Sequence, residues 1–149
     1  MSMPDARERD LTKCEDMRLS AERALRFLGS HTQAEFLADE LLQAAVIRCV
    51  EVIGEAARLV SAGTRERAPE IPWTLIIGMR NILVHDYGAV DLGKVYDVVH
   101  EHVPRLLRQL AILIPALERD AGWTDDEGSG GTRQNGETRG SGPCNGTVS

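Results

Sequence analysis

Arg80, Asn81, His85 and Tyr87 fall within one eight-residue stretch of an otherwise apolar segment, Ile71-Pro72-Trp73-Thr74-Leu75-Ile76-Ile77-Gly78-Met79-Arg80-Asn81-Ile82-Leu83-Val84-His85-Asp86-Tyr87. On a helix, at about 100° per residue, Asn81 and His85 lie within about 40° of each other. Arg80 lies about 140° from His85, but its side chain is long and planar, and Tyr87 would return to the Arg80 face. One helix end thus presents a cation, an amide, an imidazole and a phenol around a small cleft. That set suits cleavage of an RNA phosphodiester without a metal. Histidine, with an ordinary pKa near ~6.5, can take the proton of a 2′-hydroxyl or give one to a leaving 5′-oxygen. Arginine can hold two phosphate oxygens and offset the charge that develops between them.

One histidine does not easily serve as base and acid in a single step. A symmetric dimer with two such helices side by side would supply a second His85 and a second Arg80. The set calls for no cofactor and no metal. His100 and His102 would sit about 200° apart on a helix, which opposes a shared ion. A plainer reading stands beside the chemical one: Arg80 as a buried arginine paired with Glu55. Glu55 fits two roles, a partner that orients Arg80 or His85 and a structural carboxylate that satisfies an arginine. Asp86 either orients His85 or caps the helix end. Arg105 and Arg108 fit an RNA path and equally the polar face of a helix.

The elements that must position these residues are helical. Leu11, Met17, Ala21, Ala24, Leu25 and Leu28 give a first amphipathic helix, ended by Gly29-Ser30. Thr32-Gln33-Ala34-Glu35 has the form of a capping box, and an apolar pattern from about Gln33 to Val60 predicts one long central helix behind it. Gly54, within it, suits close helix packing. Gly63, Pro69 and Pro72 make residues 61–71 a connection. Pro72 is well placed to start a third helix over Trp73 to about His85. A fourth pattern runs from about Asp91 to Leu117, with Pro104 inside it to kink or split it. The expected fold is all-α, a four- to five-helix up-and-down bundle with short connections.

Composition divides the chain. Aromatic residues make up 4% of it, so the core must be aliphatic. Residues 120–149 hold eight of the fourteen glycines, and five acids against two arginines, which is half of the net charge of −6. That stretch cannot bury enough apolar surface to offset its ordering entropy and reads as a disordered, Gly-rich acidic tail behind a helical domain of residues 1–119. An acidic total argues against a nucleic-acid coat or a membrane-surface protein, and leaves room for a small phosphate site. Cys14, Cys49 and Cys144 are odd in number and far apart, so no disulfide or metal pattern arises. No apolar run of signal-peptide or membrane-spanning length is found, and a cytoplasmic protein is expected.

Arg80-Asn81-Ile82-Leu83-Val84-His85-Asp86-Tyr87 fits the R-x4-H-x-Y signature of the HepT-like toxins, a branch of the HEPN superfamily. Ile71-Pro72-Trp73 with Gly78-Met79 resembles the segment leading into that motif. Val52-Ile53-Gly54-Glu55-Ala56-Ala57 resembles the family's second-helix signature, and Val90-Asp91 also fits. The similarity covers about residues 11–117. It implies an all-α homodimer and an endoribonuclease toxin of a type VII toxin–antitoxin system. It implies catalytic roles for Arg80 and His85, and a phosphate-positioning role for Asn81. Its partner would be a minimal nucleotidyltransferase antitoxin, and Tyr87 corresponds to the tyrosine that accepts AMP in some members. The competing expectation is a non-catalytic nucleotide-binding or adaptor module in which the same pocket holds a nucleotide and a nucleotidyltransferase acts on Tyr87.

Overall fold

The computed structural model describes residues 3–86, 88 and 90–122. The expected tail therefore lies outside the described residues from Trp123 onward, and its first residue, Asp120, is the last of a helix. Among the described residues there are helices and no strand, in line with the all-α expectation.

Helix α1 spans Ala6–Leu28, starting from an Asp5 cap and ending at Gly29, whose positive φ of 50° turns the chain while its N–H closes on the Leu25 carbonyl. The Thr32–Glu35 capping box forms as expected: the Glu35 N–H donates to Thr32 Oγ1 at 3.2 Å, and the Thr32 N–H donates to Glu35 Oε1 at 3.1 Å. It starts only a short helix, α2, Gln33–Leu37. The central helix is broken after Leu37, contrary to the single helix expected over 33–60. Asp39 accepts the Leu42 N–H at 3.0 Å and so starts α3, Glu40–Leu59, afresh. Gln43 then donates its amide to the Phe36 and Leu37 carbonyls, which satisfies the end of α2.

The expected connection over 61–71 contains a further helix, α4, Ala62–Arg67. Its N-terminus is capped from α1. Asp10, 4% exposed, accepts from the Ser61 N–H at 2.9 Å, from the Ser61 hydroxyl, and from Thr64 Oγ1 at 2.6 Å. Burial alone would raise the Asp10 pKa. The Ser61 and Thr64 hydrogen bonds, with the Arg9 charge, outweigh it and hold the carboxyl below the ordinary range. No sequence-local pattern points to this cap, because its partners are fifty residues apart.

Helix α5, Trp73–His85, has the expected bounds. Pro72 precedes it and accepts the Ile76 N–H, and the Trp73 indole donates to the Ala68 carbonyl at 3.0 Å. The fourth pattern becomes α6, Leu92–Asp97, a π-helical turn at Val98–His102, and α7, Val103–Asp120. Pro104 has no N–H to donate one turn back, and the Val103 N–H reaches five residues back to Val98 instead. The proline thus divides the run, as expected, by a widened turn.

Helices α1, α3, α5 and α7 form the bundle, with α3 between α1 and α5. The core is largely aliphatic, with Met17, Leu28, Val46, Ile71, Leu83, Leu110 and Leu117 fully buried; Phe36 and Trp73 are its buried aromatic exceptions. Cys14 and Cys49 are free thiols inside it. No helix among the described residues is long and apolar enough to cross a membrane.

Candidate active site

The site is built on the contact between α3 and α5. A Cβ on Gly54 would meet the Arg80 Cβ at 2.2 Å, its Cγ at 2.9 Å and the Ile76 carbonyl at 3.1 Å. Glycine at this point lets the two helices touch through the stem of Arg80. The guanidinium is thereby held at the surface of α3, where its Nη2 lies 3.0 Å from Glu55 Oε2. Its Nη1 donates to Asn81 Oδ1 at 3.0 Å. Asn81 stands between Arg80 and His85 around the helix, so this bond turns the cation toward the histidine side.

Glu55 is shared. Arg58, one turn along α3, donates to it from Nη2 at 2.8 Å and from Nε at 3.3 Å. The Arg58 hydrogen bond, with the charges of Arg58, Arg80 and Lys13, holds the Glu55 carboxyl below its ordinary range against the opposing effect of burial. The plainer expectation of an arginine paired with Glu55 is met in its pairing. Arg80 is only partly covered, its side chain 21% exposed, so an anion has access to it. Arg58 was missed at the level of sequence; its i+3 spacing from Glu55 was the available signal.

His85 is the last residue of α5 and is exposed. Asp86 follows it, and the Asp86 N–H closes the final turn on the Ile82 carbonyl at 3.0 Å. Among the described residues the Asp86 carboxylate makes no ion pair or hydrogen bond, so of its two expected roles the backbone one is seen. The structure therefore joins Glu55, Arg80 and Asn81 in one network and leaves His85 and Asp86 at its open edge. Tyr87 lies outside the described residues.

The remaining histidines and Arg105 sit elsewhere. His31 Nδ1 lies 2.7 Å from the Leu28 carbonyl, and His100 stacks on Tyr96 with centroids 5.5 Å apart. His102 and Arg105 line an apolar groove of about 240 Å³ between α5 and α7, with Leu75, Met79 and Leu106. Among the described residues no group of three His, Cys, Asp or Glu is placed to hold a metal ion.

Residues 17–113, from within α1 to within α7, match the family model described as Ribonuclease HepT-like. The chain belongs to the HepT-like family. The match includes Gly54, Glu55 and the whole Arg80–Tyr87 motif of this HepT-like chain. Named relatives agree. A Methanocaldococcus jannaschii protein whose name proposes an RNase is 35% identical over 98 residues, 66% of this chain and 90% of that one. A second one from that organism, named in the same way, is 37% identical over 84 residues, 56% of this chain and 72% of the other. A Thermococcus cleftensis protein whose name proposes a ribonuclease HepT is 40% identical over 72 residues, 48% of this chain and 66% of that one. No solved structure matches the chain.

Proposed function

We propose that this HepT-like chain is a metal-independent endoribonuclease, the toxin of a type VII toxin–antitoxin pair acting in the cytoplasm. The observation that carries the reading is the Arg80 guanidinium, oriented by Glu55 and Asn81 beside an exposed His85 at one helix end. In the reaction, His85 of one protomer takes the 2′-hydroxyl proton and the 2′-oxygen attacks phosphorus. The bond from phosphorus to the 5′-oxygen breaks, and the leaving oxygen takes a proton from the second protomer's protonated His85. The products are a 2′,3′-cyclic phosphate and a 5′-hydroxyl. Arg80 binds the phosphate oxygens where negative charge builds up, and Asn81 positions the phosphate. When Arg80 turns to phosphate, Arg58 keeps Glu55 paired, so the exchange strands no carboxylate.

The dimer that doubles the site has support in the outer face of α5. Leu75 is 75% exposed and Ile82 54% exposed, with Gly78 between them facing empty space. This uncharged stripe ends at His85. A second copy of α5 would cover it and bring the second histidine to the same end. A mid-helix glycine costs about 0.5–1 kcal/mol relative to alanine, and close approach of a partner helix would offset that.

Inhibition follows from the same chemistry. A minimal nucleotidyltransferase antitoxin that adds AMP to Tyr87 would put phosphates beside Arg80 and His85, fill the anion site and repel RNA. Purified protein is expected to cleave RNA in EDTA and to leave cyclic phosphate ends, and His85→Ala is expected to abolish both cleavage and growth inhibition. Undiminished cleavage by His85→Ala would overturn the site. Nucleotide binding that is lost in Arg80→Ala, without cleavage at any concentration, would instead establish the adaptor reading.

A further inference from the structure

Three arginines gather away from the motif, on the shoulder where α1 packs against α3. Arg23 and Arg26 are exposed on α1, about 60° apart around it. Arg48 is exposed on α3, its side chain 75% accessible. Helix α1 packs along α3; burial pushes the Cys49 thiol up, and the charges of Arg23, Arg26 and Arg48 act on it in the opposite direction.

Two of the three charges, those of Arg23 and Arg26, are uncompensated among the described residues. Glu15 and Glu22 are taken by Arg18, at 2.6 and 3.0 Å. Glu55 is taken by Arg58 and Arg80. Arg48 pairs with Glu51, donating to its Oε2 at 3.5 Å. Among the described residues neither Arg23 nor Arg26 has a carboxylate within ion-pair distance. Arg26 lies over the ring of Phe27, 5.8 Å from its centroid, and Phe27 is 36% exposed. A guanidinium on an aromatic ring is a flat surface suited to stacking a base.

The cluster is in line with the motif. Helices α3 and α5 run antiparallel, for Gly54 packs on Arg80 while Ile47 and Leu83 line one cleft. Arg48, about 9 Å along α3 from Gly54, is therefore level with the C-terminal turn of α5 that carries His85. It also projects from the ridge of α3, between the α5 side and the α1 side. Three neighbouring helices at about 8–10 Å spacing give a path of about 20 Å.

We propose that Arg48, Arg23 and Arg26 form a single-stranded RNA track leading from the His85 end of α5 across α3 to α1, where Arg26 and Phe27 stack a base. The track rests on the ribonuclease reading of the α5 site and adds to it the surface that holds the substrate away from the scissile bond. Its charge is local, which is how a chain with a net charge of −6 can hold RNA.

The test uses a short fluorescein-labelled single-stranded RNA and the His85→Ala protein, which keeps the RNA intact. Anisotropy is followed as salt is varied, with and without Arg23→Gln, Arg26→Gln and Arg48→Gln together. Loss of three phosphate contacts is expected to reduce the slope of log K against log salt by about 2, and affinity at low salt by tenfold or more. The matching triple lysine variant is expected to keep the slope. An unchanged slope in the glutamine variant, or an equal loss in the lysine variant, would overturn the track. With His85 restored, the glutamine variant should raise KM for long RNA and leave kcat for a dinucleotide intact. RNA bound through the track by a wild-type protein that cleaves nothing would defeat the nuclease reading and leave the track standing. Cleavage with equal KM in wild type and variant would do the reverse.

Discussion

Gly54 and Arg80 meet so closely that a single added methyl group would lie 2.2 Å from the Arg80 Cβ. The contact is backbone against side-chain stem, so the bulk cannot swing aside. Gly54→Ala must push α5 away from α3 or tilt it. We expect a loss of about 1–3 kcal/mol, in the range of overpacked cores, seen as a lower melting temperature by circular dichroism. RNA cleavage should fall further than stability explains, because the guanidinium moves with the helix. A variant with wild-type melting and wild-type cleavage would show that the contact relaxes freely.

Glu55 acts through Arg80, and its substitution separates orientation from charge. Glu55→Gln leaves the volume and removes the charge that draws Arg80 and Arg58 to one point. The expected result is a drop of about tenfold in kcat, with KM for RNA held or lowered as repulsion between Glu55 and phosphate is removed. Glu55→Asp should recover part of the loss. Equal kcat in all three proteins would reduce Glu55 to a surface ion pair of little consequence.

Asp10 offers a stability test far from the site. Its native carboxyl titrates below the usual range, so its stabilising contribution is full above the ordinary value of 3.8 and is lost as pH falls from there through the lowered native value. Asp10→Asn should cost about 1–3 kcal/mol at neutral pH by leaving hydroxyl donors of Ser61 and Thr64 poorly paired. Its stability should also respond less to pH below about 4 than that of the wild type. Parallel acid-unfolding curves for the two proteins would contradict the assignment.

Ile82 and Leu75 test the dimer. Both are exposed in the single chain, so Ile82→Glu should leave the helical fold and its melting almost unchanged. Sedimentation should then show a monomer, and cleavage should fall by orders of magnitude if each site draws on two chains. A monomeric variant that cleaves as well as wild type would confine the chemistry to one protomer.

Sequence and tertiary structure divide the protein between them along a physical line. Much of what depends on neighbours within a few residues was legible in the chain. Pro72 and the apolar run after it set α5 over Trp73–His85, Thr32 and Glu35 made their reciprocal cap, and Pro104 forced a change of helical turn. The spacing of Arg80, Asn81 and His85 belongs to this class, because one helix geometry converts residue number into direction. Packing in space decided the rest. A continuous apolar pattern did not reveal the break before Asp39, since Gln43 satisfies the end of α2 from the next helix. The Asp10 cap joins residues of α1 and α4 that only folding brings together. Glu55 became a shared anchor because Gly54 lets Arg80 come close enough to meet a carboxylate already held by Arg58. In the proposed track Arg23, Arg26 and Arg48 become one surface because α1 lies along α3, and charge is a property of that surface, which no count along the chain reports.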